Sequence, residues 1–303
     1  MRPLRALGDG LVELGLGLDS RLGLPTAKLR DLAPEAAALG YQSLWTNAGT
    51  DYDPVAMCAA WYERSRLRTG VSVVPIVRNP APVLALAART AHELTGGTFV
   101  LGIGSGSITE RPLAAVRQYL ADVRKDARDV PIYIGALGPR MLALAGKHAD
   151  GAALNWCTPD QIRWSREQTG PRAKLTLYIR VCVDDDVAAA RRALAKQIIA
   201  YALLVRPSGA RGYETHFERM GFGPELEDLR RRREAGAGDD QLADGMPERL
   251  LSSFGYAGRG DGAREWFSRM AVGLDVAIVR VLNARPGDPS GVLAAMRAFA
   301  PPH

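Results

Sequence analysis

The chain is poor in cysteine, lysine, histidine and aromatic residues, and it has no long apolar run. Its three cysteines, Cys58, Cys157 and Cys182, are odd in number, widely spaced, and lack a CxxC pattern or nearby histidine partners. That argues against a disulfide framework and a zinc site, so no metal is expected, and it points to a reducing compartment. No apolar run reaches the roughly 18 residues of a membrane span, and Met1 to Gly10 holds arginines but no apolar stretch of signal length. The expectation is a soluble, cytoplasmic protein with no membrane partner. Of four histidines, His92 and His148 fall on helical stretches, His216 in a helical segment and His303 at the end. None is placed for catalysis, and no Ser-His-Asp order, HExxH or P-loop pattern occurs. Only five of the 39 basic residues are lysine, and with the abundant alanine this bias suits a GC-rich bacterial genome. The one dense basic cluster, Arg230 to Arg233, sits among Glu225, Glu227, Asp228 and Glu234 without interleaved aromatics. It reads as a solvated helix face, not as a nucleic-acid partner surface.

What is present is enough apolar sequence for a large core: 303 residues, 47% hydrophobic and 24% charged, with no need of staples. Apolar runs of strand length are expected at Leu11–Leu18, Ser43–Thr46, Gly70–Pro75, Phe99–Ile103, Pro131–Gly135, Gly151–Asn155, Leu175–Val183 and Val276–Leu282. Most are nearly all apolar, as parallel strands covered on both faces should be. Between them lie amphipathic helical stripes such as Leu29, Leu32, Ala33, Ala36, then Leu84, Ala87, Ala88, Ala91, and Ala263, Trp266, Phe267, Met270. Eight strands in strict alternation with helices predict a single α/β domain over 1–303, a (β/α)8 TIM barrel, in preference to an open doubly wound sheet. From about Val187 to Phe254 no strand is evident. Helical sequence there is broken at Pro207-Ser208-Gly209, Gly221-Phe222-Gly223-Pro224 and Gly236-Ala237-Gly238. This predicts a helical insertion between strands seven and eight, overhanging the active face as a lid, a homodimer surface or both.

Barrel function sits in the loops after the strands. After strand four comes Gly102-Ile103-Gly104-Ser105-Gly106, which either lets backbone approach a flat ligand or phosphate, or is a tight turn. After strand five, Gly135-Ala136-Leu137-Gly138-Pro139-Arg140-Met141 runs into a helix whose first position suits Pro139. Free N–H groups at that helix start, with Arg140 adding a charge, predict anion or phosphate binding. Strand six ends in Asn155 and Trp156, a polar group and an aromatic face that either meet a ligand or, for Trp156, pack at the rim. Trp45 on strand two carries the same choice, and Ser72 on strand three either faces a ligand or bonds locally. Asp184-Asp185-Asp186 reads as a helix N-terminus supplied with negative charge rather than as a metal site.

Several segments taken together resemble the luciferase-like family of flavin and deazaflavin oxidoreductases. They are Leu16-Gly17-Leu18, Leu39-Gly40-Tyr41-Gln42-Ser43-Leu44-Trp45, Arg78-Asn79-Pro80, Leu94 through Gly106, Gly135 through Met141, Leu144-Ala145-Gly146 and Ala149-Asp150-Gly151. The likeness runs from about Leu11 to Trp156 and more loosely to the end, and is strongest to the branch using coenzyme F420. The resemblance implies a cofactor across the barrel mouth near Asn47, Ser72, Val73 and Gly104 to Gly106, with its phosphate end at Gly135 to Met141. It also implies a cis peptide at Ser72–Val73. Where relatives carry Asp or Asp-His after the strand-two Trp, this chain has Ala48-Gly49, and the stretches 106–113 and 122–131 are shorter than the family's. No catalytic residue is therefore assigned, and three readings stand. The first is an F420-dependent oxidoreductase transferring hydride to or from a small organic substrate. The second is an FMN-dependent monooxygenase. The third is a non-catalytic cofactor-binding barrel.

Overall fold

The computed structural model describes residues 12–204 and 212–302. Leu11, Pro207-Ser208-Gly209 and His303 lie outside the described residues. β1 (Glu13–Gly17) leads through the short helices α1 (Thr26–Asp31) and α2 (Ala33–Ala38) to β2 (Ser43–Thr46). Then follow α3 (Pro54–Ser65), β3 (Arg68–Pro75), α4 (Ala81–Leu94), β4 (Val100–Gly104), α5 (Pro112–Asp126) and β5 (Ile132–Gly135). Next come α6 (Pro139–His148), β6 (Gly151–Asn155), α7 (Pro159–Thr169) and the long β7 (Lys174–Val183). Among the described residues, five helices separate β7 from the next strand: α8 (Val187–Ala202), α9 (Gly212–Arg219), α10 (Gly223–Glu234), α11 (Asp239–Asp244) and α12 (Glu248–Phe254). The chain ends with β8 (Gly255–Gly258), α13 (Ala263–Met270), β9 (Val276–Val281) and α14 (Pro289–Ala298).

Strands β1 to β7 and β9 pair in parallel and close through the β6–β7 and β9–β1 contacts, so the chain is an eight-stranded TIM barrel. The eighth barrel strand is thus β9, the run expected at Val276–Leu282. One strand was not legible: β8, Gly-Tyr-Ala-Gly, whose two glycines give no apolar signal. It pairs Gly255 to Gly258 with Arg180 to Val183, along the edge of β7 that lower down pairs with β6. β7 is long enough to serve β6 first and β8 beyond it.

Helix starts are written into the sequence. Asp53 accepts from the N–H groups of Val55 and Ala56 (2.9 and 2.8 Å) ahead of Pro54, and Thr158 and Asp288 cap α7 and α14 likewise. Asp186 caps α8 through Ala189 N–H at 3.0 Å, which gives the acidic run at strand seven its structural role.

Alternation along each strand sorts the core. Outward residues such as Leu14, Leu16, Leu44, Val71, Leu101, Ile132, Leu177 and Val279 pack under the helices. Inward, Trp45, Tyr133, Tyr178, Val100, Val276 and Ile278 fill the barrel. Glycine makes room for the large rings: a Cβ on Gly70 would lie 2.5 Å from the Trp45 ring, and one on Gly151 2.7 Å from the Tyr133 ring. Trp45, its indole N–H bonded to Ser43 Oγ at 2.8 Å, is therefore barrel filling rather than a mouth residue. A separate core around Phe217, Phe222, Leu226, Leu250 and Phe254 binds α8–α12 together.

Candidate active site

The strand ends open into a cavity of about 580 Å³ at the barrel mouth. Twelve expected residues line it together: Asn47, Ser72, Val73, Gly104, Ser105, Gly106, Gly135, Ala136, Leu137, Gly138, Met141 and Asn155. Two expected residues are elsewhere. Trp156 follows the last residue of β6 in a left-handed backbone conformation, φ 52°, and its side chain leaves the cavity. The Trp156 ring is 1% exposed and packs on Tyr201, Phe217 and Phe254. Arg140 is the second residue of α6 and its side chain is exposed, so at that helix start the backbone rather than the guanidinium is on offer.

One wall is backbone. β3 turns at Ser72–Val73, whose peptide is cis, and Val73 fills the space left by three glycines. A Cβ on Gly102, Gly104 or Gly135 would come within 3.0, 2.8 and 3.4 Å of its methyl groups. Beyond β5, a Cβ on Gly138 would meet nothing within 4 Å. Among the described residues no backbone acceptor takes the N–H of Leu137, Gly138 or Arg140. Open N–H groups at the start of a ten-residue helix form a patch of partial positive charge.

The opposite wall is made of side chains that sequence reasoning did not single out. Tyr178 and Arg180 on β7, Arg21 after β1, Tyr201 on α8 and Tyr213 on α9 line it. Arg180 and Arg280 are register partners on β7 and β9, each 2% exposed. Gly17 permits this: a Cβ there would lie 3.0 Å from the Tyr178 ring and 3.2 Å from Arg280 Cδ. Arg280 pairs with buried Asp19, which also accepts from Arg21 at 3.1 Å. Burial would raise the Asp19 carboxyl, but the Arg280 and Arg21 charges outweigh it and hold it below its usual value. Arg180 donates to the Tyr178 carbonyl at 3.3 Å, and its guanidinium lies 3.6 Å from the Trp156 ring centroid. Burial lowers it to about 10, so it remains charged at neutral pH. Tyr201 stands edge-on to Tyr213 at 4.7 Å. Burial pushes its phenol up, yet the charges of Arg180, Arg21 and Arg280 bring it below its ordinary value.

Three buried polar atoms on cavity-lining residues have no hydrogen-bond partner: Asn47 Oδ1, Asn155 Oδ1 and Tyr178 Oη. A buried polar group left unpaired costs about 1–3 kcal/mol, so three of them on residues lining one cavity suit a place where a ligand supplies partners. Two acceptors and a hydroxyl beside open backbone N–H groups suit a flat heteroaromatic ring with an anionic tail. The residues present fit such a group.

His216 is buried and unsuited to proton transfer. Its Nε2 lies 2.8 Å from the Trp156 carbonyl and 3.0 Å from that of Asn155, and burial lowers it to about 4. It ties α9 to the end of β6, where Asn155 also donates to Tyr213 Oη at 2.7 Å.

Comparison with known proteins agrees with this geometry. The chain is 25% identical to a 5,10-methylenetetrahydromethanopterin reductase of Methanolobus tindarius, across 88% of this chain and 92% of that one. It is 24% identical to a putative coenzyme F420-dependent oxidoreductase of Mycobacterium tuberculosis, across 84% and 91%. Among solved structures, the coenzyme F420-dependent tetrahydromethanopterin reductase of Methanopyrus kandleri superposes with a TM-score of 0.70 at 16% identity, covering 95% of this chain and 98% of that one. Residues 15–111 and 109–274 match the family described as luciferase-like monooxygenase, and the chain belongs to that family.

Proposed function

We propose that this protein is a coenzyme F420-dependent oxidoreductase that moves hydride between the deazaflavin and a small organic substrate at the barrel mouth. The observation that carries the reading is that Asn47, Asn155 and Tyr178, each with an unpaired buried polar atom, all line one glycine-walled cavity. The full-length likeness to proteins described as F420-dependent supports it.

Bound there, a deazaflavin supplies two-electron hydride chemistry, so the protein needs mainly orientation and a dry pocket. Val73, Gly104 and Gly135 offer a flat face for the ring. Asn47 and Asn155 present acceptors to its N–H edge. The N–H groups of Leu137, Gly138 and Arg140 take the phosphate. Tyr201 and Tyr213, carried by helices in the 187–254 segment, wall the cavity from the far side and limit water. Burial keeps the Tyr178 hydroxyl far above its ordinary value, so it stays protonated and acts as a donor. We further read 1–303 as one barrel domain of a cytoplasmic bacterial protein, in keeping with its three buried free thiols.

Titrating purified protein with F420 and with FMN tests the reading. Saturable F420 binding at micromolar concentration is expected, with hydride exchange detected as loss of deazaflavin absorbance on adding substrate. Tight FMN binding with indifference to F420 replaces this reading with the FMN monooxygenase. F420 binding without turnover on any substrate leaves the non-catalytic barrel.

A further inference from the structure

The charged wall of the cavity is not explained by a cofactor seated on the glycine wall. Three guanidiniums, Arg21, Arg180 and Arg280, cluster here, and one carboxylate, Asp19, pairs with two of them. Arg280 and Arg21 share that carboxylate, and Arg21 is exposed to solvent and also bonds Gln197 at 3.3 Å. Arg180 is left. It is 2% exposed and lies on Trp156 with one carbonyl contact, and no carboxylate pairs with it among the described residues. Outside the described residues, 205–211 contains no Asp or Glu and 1–11 contains Asp9.

A buried guanidinium without a counter-ion is strongly unfavourable unless something compensates it. The Trp156 ring does so in part, as a cation–π face. The remaining N–H donors adjoin the cavity beside Tyr201, whose ring centroid is 5.4 Å from the guanidinium and whose hydroxyl also bonds Arg21. This is the makeup of an oxyanion receptor: one planar fork held on an aromatic face beside a tyrosine.

We propose that the β7 side of the mouth is the substrate subsite and that it takes an organic monoanion, a carboxylate-bearing substrate seated on Arg180. The inference rests on assigning the glycine wall to the cofactor. A single uncommitted buried charge fits a carboxylate better than a phosphate dianion. Arg180 is here a specificity-determining residue, with the neighbouring Tyr201 hydrogen-bonding the second oxygen.

The test is calorimetric titration of the full chain, with and without saturating F420, using benzoate and pyruvate against the neutral analogues benzamide and acetone. The carboxylates bind and the neutral analogues do not. Arg180→Met weakens carboxylate binding by about 10- to 100-fold, as expected for a charge-assisted bidentate contact, and leaves F420 affinity within about twofold of wild type. Should Arg180→Met fail to fold, Tyr201→Phe, at a half-buried position, serves in its place with a loss of about 3- to 10-fold. Equal binding of neutral and charged probes overturns the proposal. So does an Arg180→Met variant that loses F420 and keeps the carboxylates, because the guanidinium then belongs to the cofactor's own acidic tail. Carboxylate binding by a protein that ignores F420 sinks the cofactor assignment while leaving the anion subsite standing.

Discussion

Replacing Gly104 by alanine tests whether the glycine wall exists to receive Val73. The added Cβ would sit 2.8 Å from Val73 Cγ2, about 1 Å inside ordinary carbon–carbon contact. Val73 cannot rotate away, because β-branching stiffens its χ1. Its methyl groups also stand close to where Cβ atoms on Gly102 and Gly135 would be, at 3.0 and 3.4 Å. The free direction is into the cavity, so Gly104→Ala should cost about 1–3 kcal/mol of stability as overpacking does, and F420 affinity should fall with it. Val73→Ala alone removes two methyl groups from a half-buried position, a loss of about 1 kcal/mol. In the double variant the nearest atom to the new Cβ is the residue-73 Cβ at 3.7 Å, ordinary contact. Gly104→Ala should then be nearly neutral in the Val73→Ala background, a coupling of about 1–3 kcal/mol. Urea unfolding of the four proteins reads the cycle, and F420 titration reads the cavity. Additive costs within about 0.5 kcal/mol would refute the packing argument.

Three further outcomes follow from buried charge and its partners. Asp19→Asn should destabilise by about 3–5 kcal/mol in chemical unfolding, since Arg280 would be left buried without its carboxylate; a cost below about 1 kcal/mol would mean that the ion pair is not what holds β1 to β9. The His216 ring, about 4 when folded and 6.5 when unfolded, is protonated first in the unfolded chain, so stability should fall by up to about 3 kcal/mol as pH drops from 6.5 to 4. His216→Gln should flatten that slope in urea midpoints. Arg140→Ala should leave F420 affinity within about twofold, because the exposed guanidinium is not at the cavity; a loss of tenfold would return the phosphate contact to that side chain.

The barrel was legible because parallel strands covered on both faces appear as continuous apolar runs, and most of the eight barrel strands carry one. The same continuity hid the inward face. In Leu175-Thr176-Leu177-Tyr178-Ile179-Arg180-Val181 the aliphatic residues go out to the helices, and Thr176, Tyr178 and Arg180 go in. Val279-Arg280-Val281 repeats the pattern. An arginine inside an apolar strand was the available signal. It passed as compositional bias because this chain has arginine everywhere. Asp19 was equally invisible, since its partner Arg280 is 261 residues away. The cis Ser72–Val73 peptide came only through family resemblance.

The two walls differ in how sequence encodes them, and that difference follows from their chemistry. Backbone N–H donors and a flat face need residues without side chains, so the wall at β3–β5 announces itself as glycine. It asks little of the substrate, because peptide groups do not change from one relative to the next. The wall at β7 and β9 is built from long side chains whose meaning lies in their mutual distances. Two of its residues, Tyr201 and Tyr213, arrive from α8 and α9, helices with their own apolar core. Substitution there alters charge and shape at the cavity without touching the barrel's register. Side chains from the helical segment thus contribute to the wall proposed to contact substrate, while the wall proposed to receive the cofactor is the one legible as glycine.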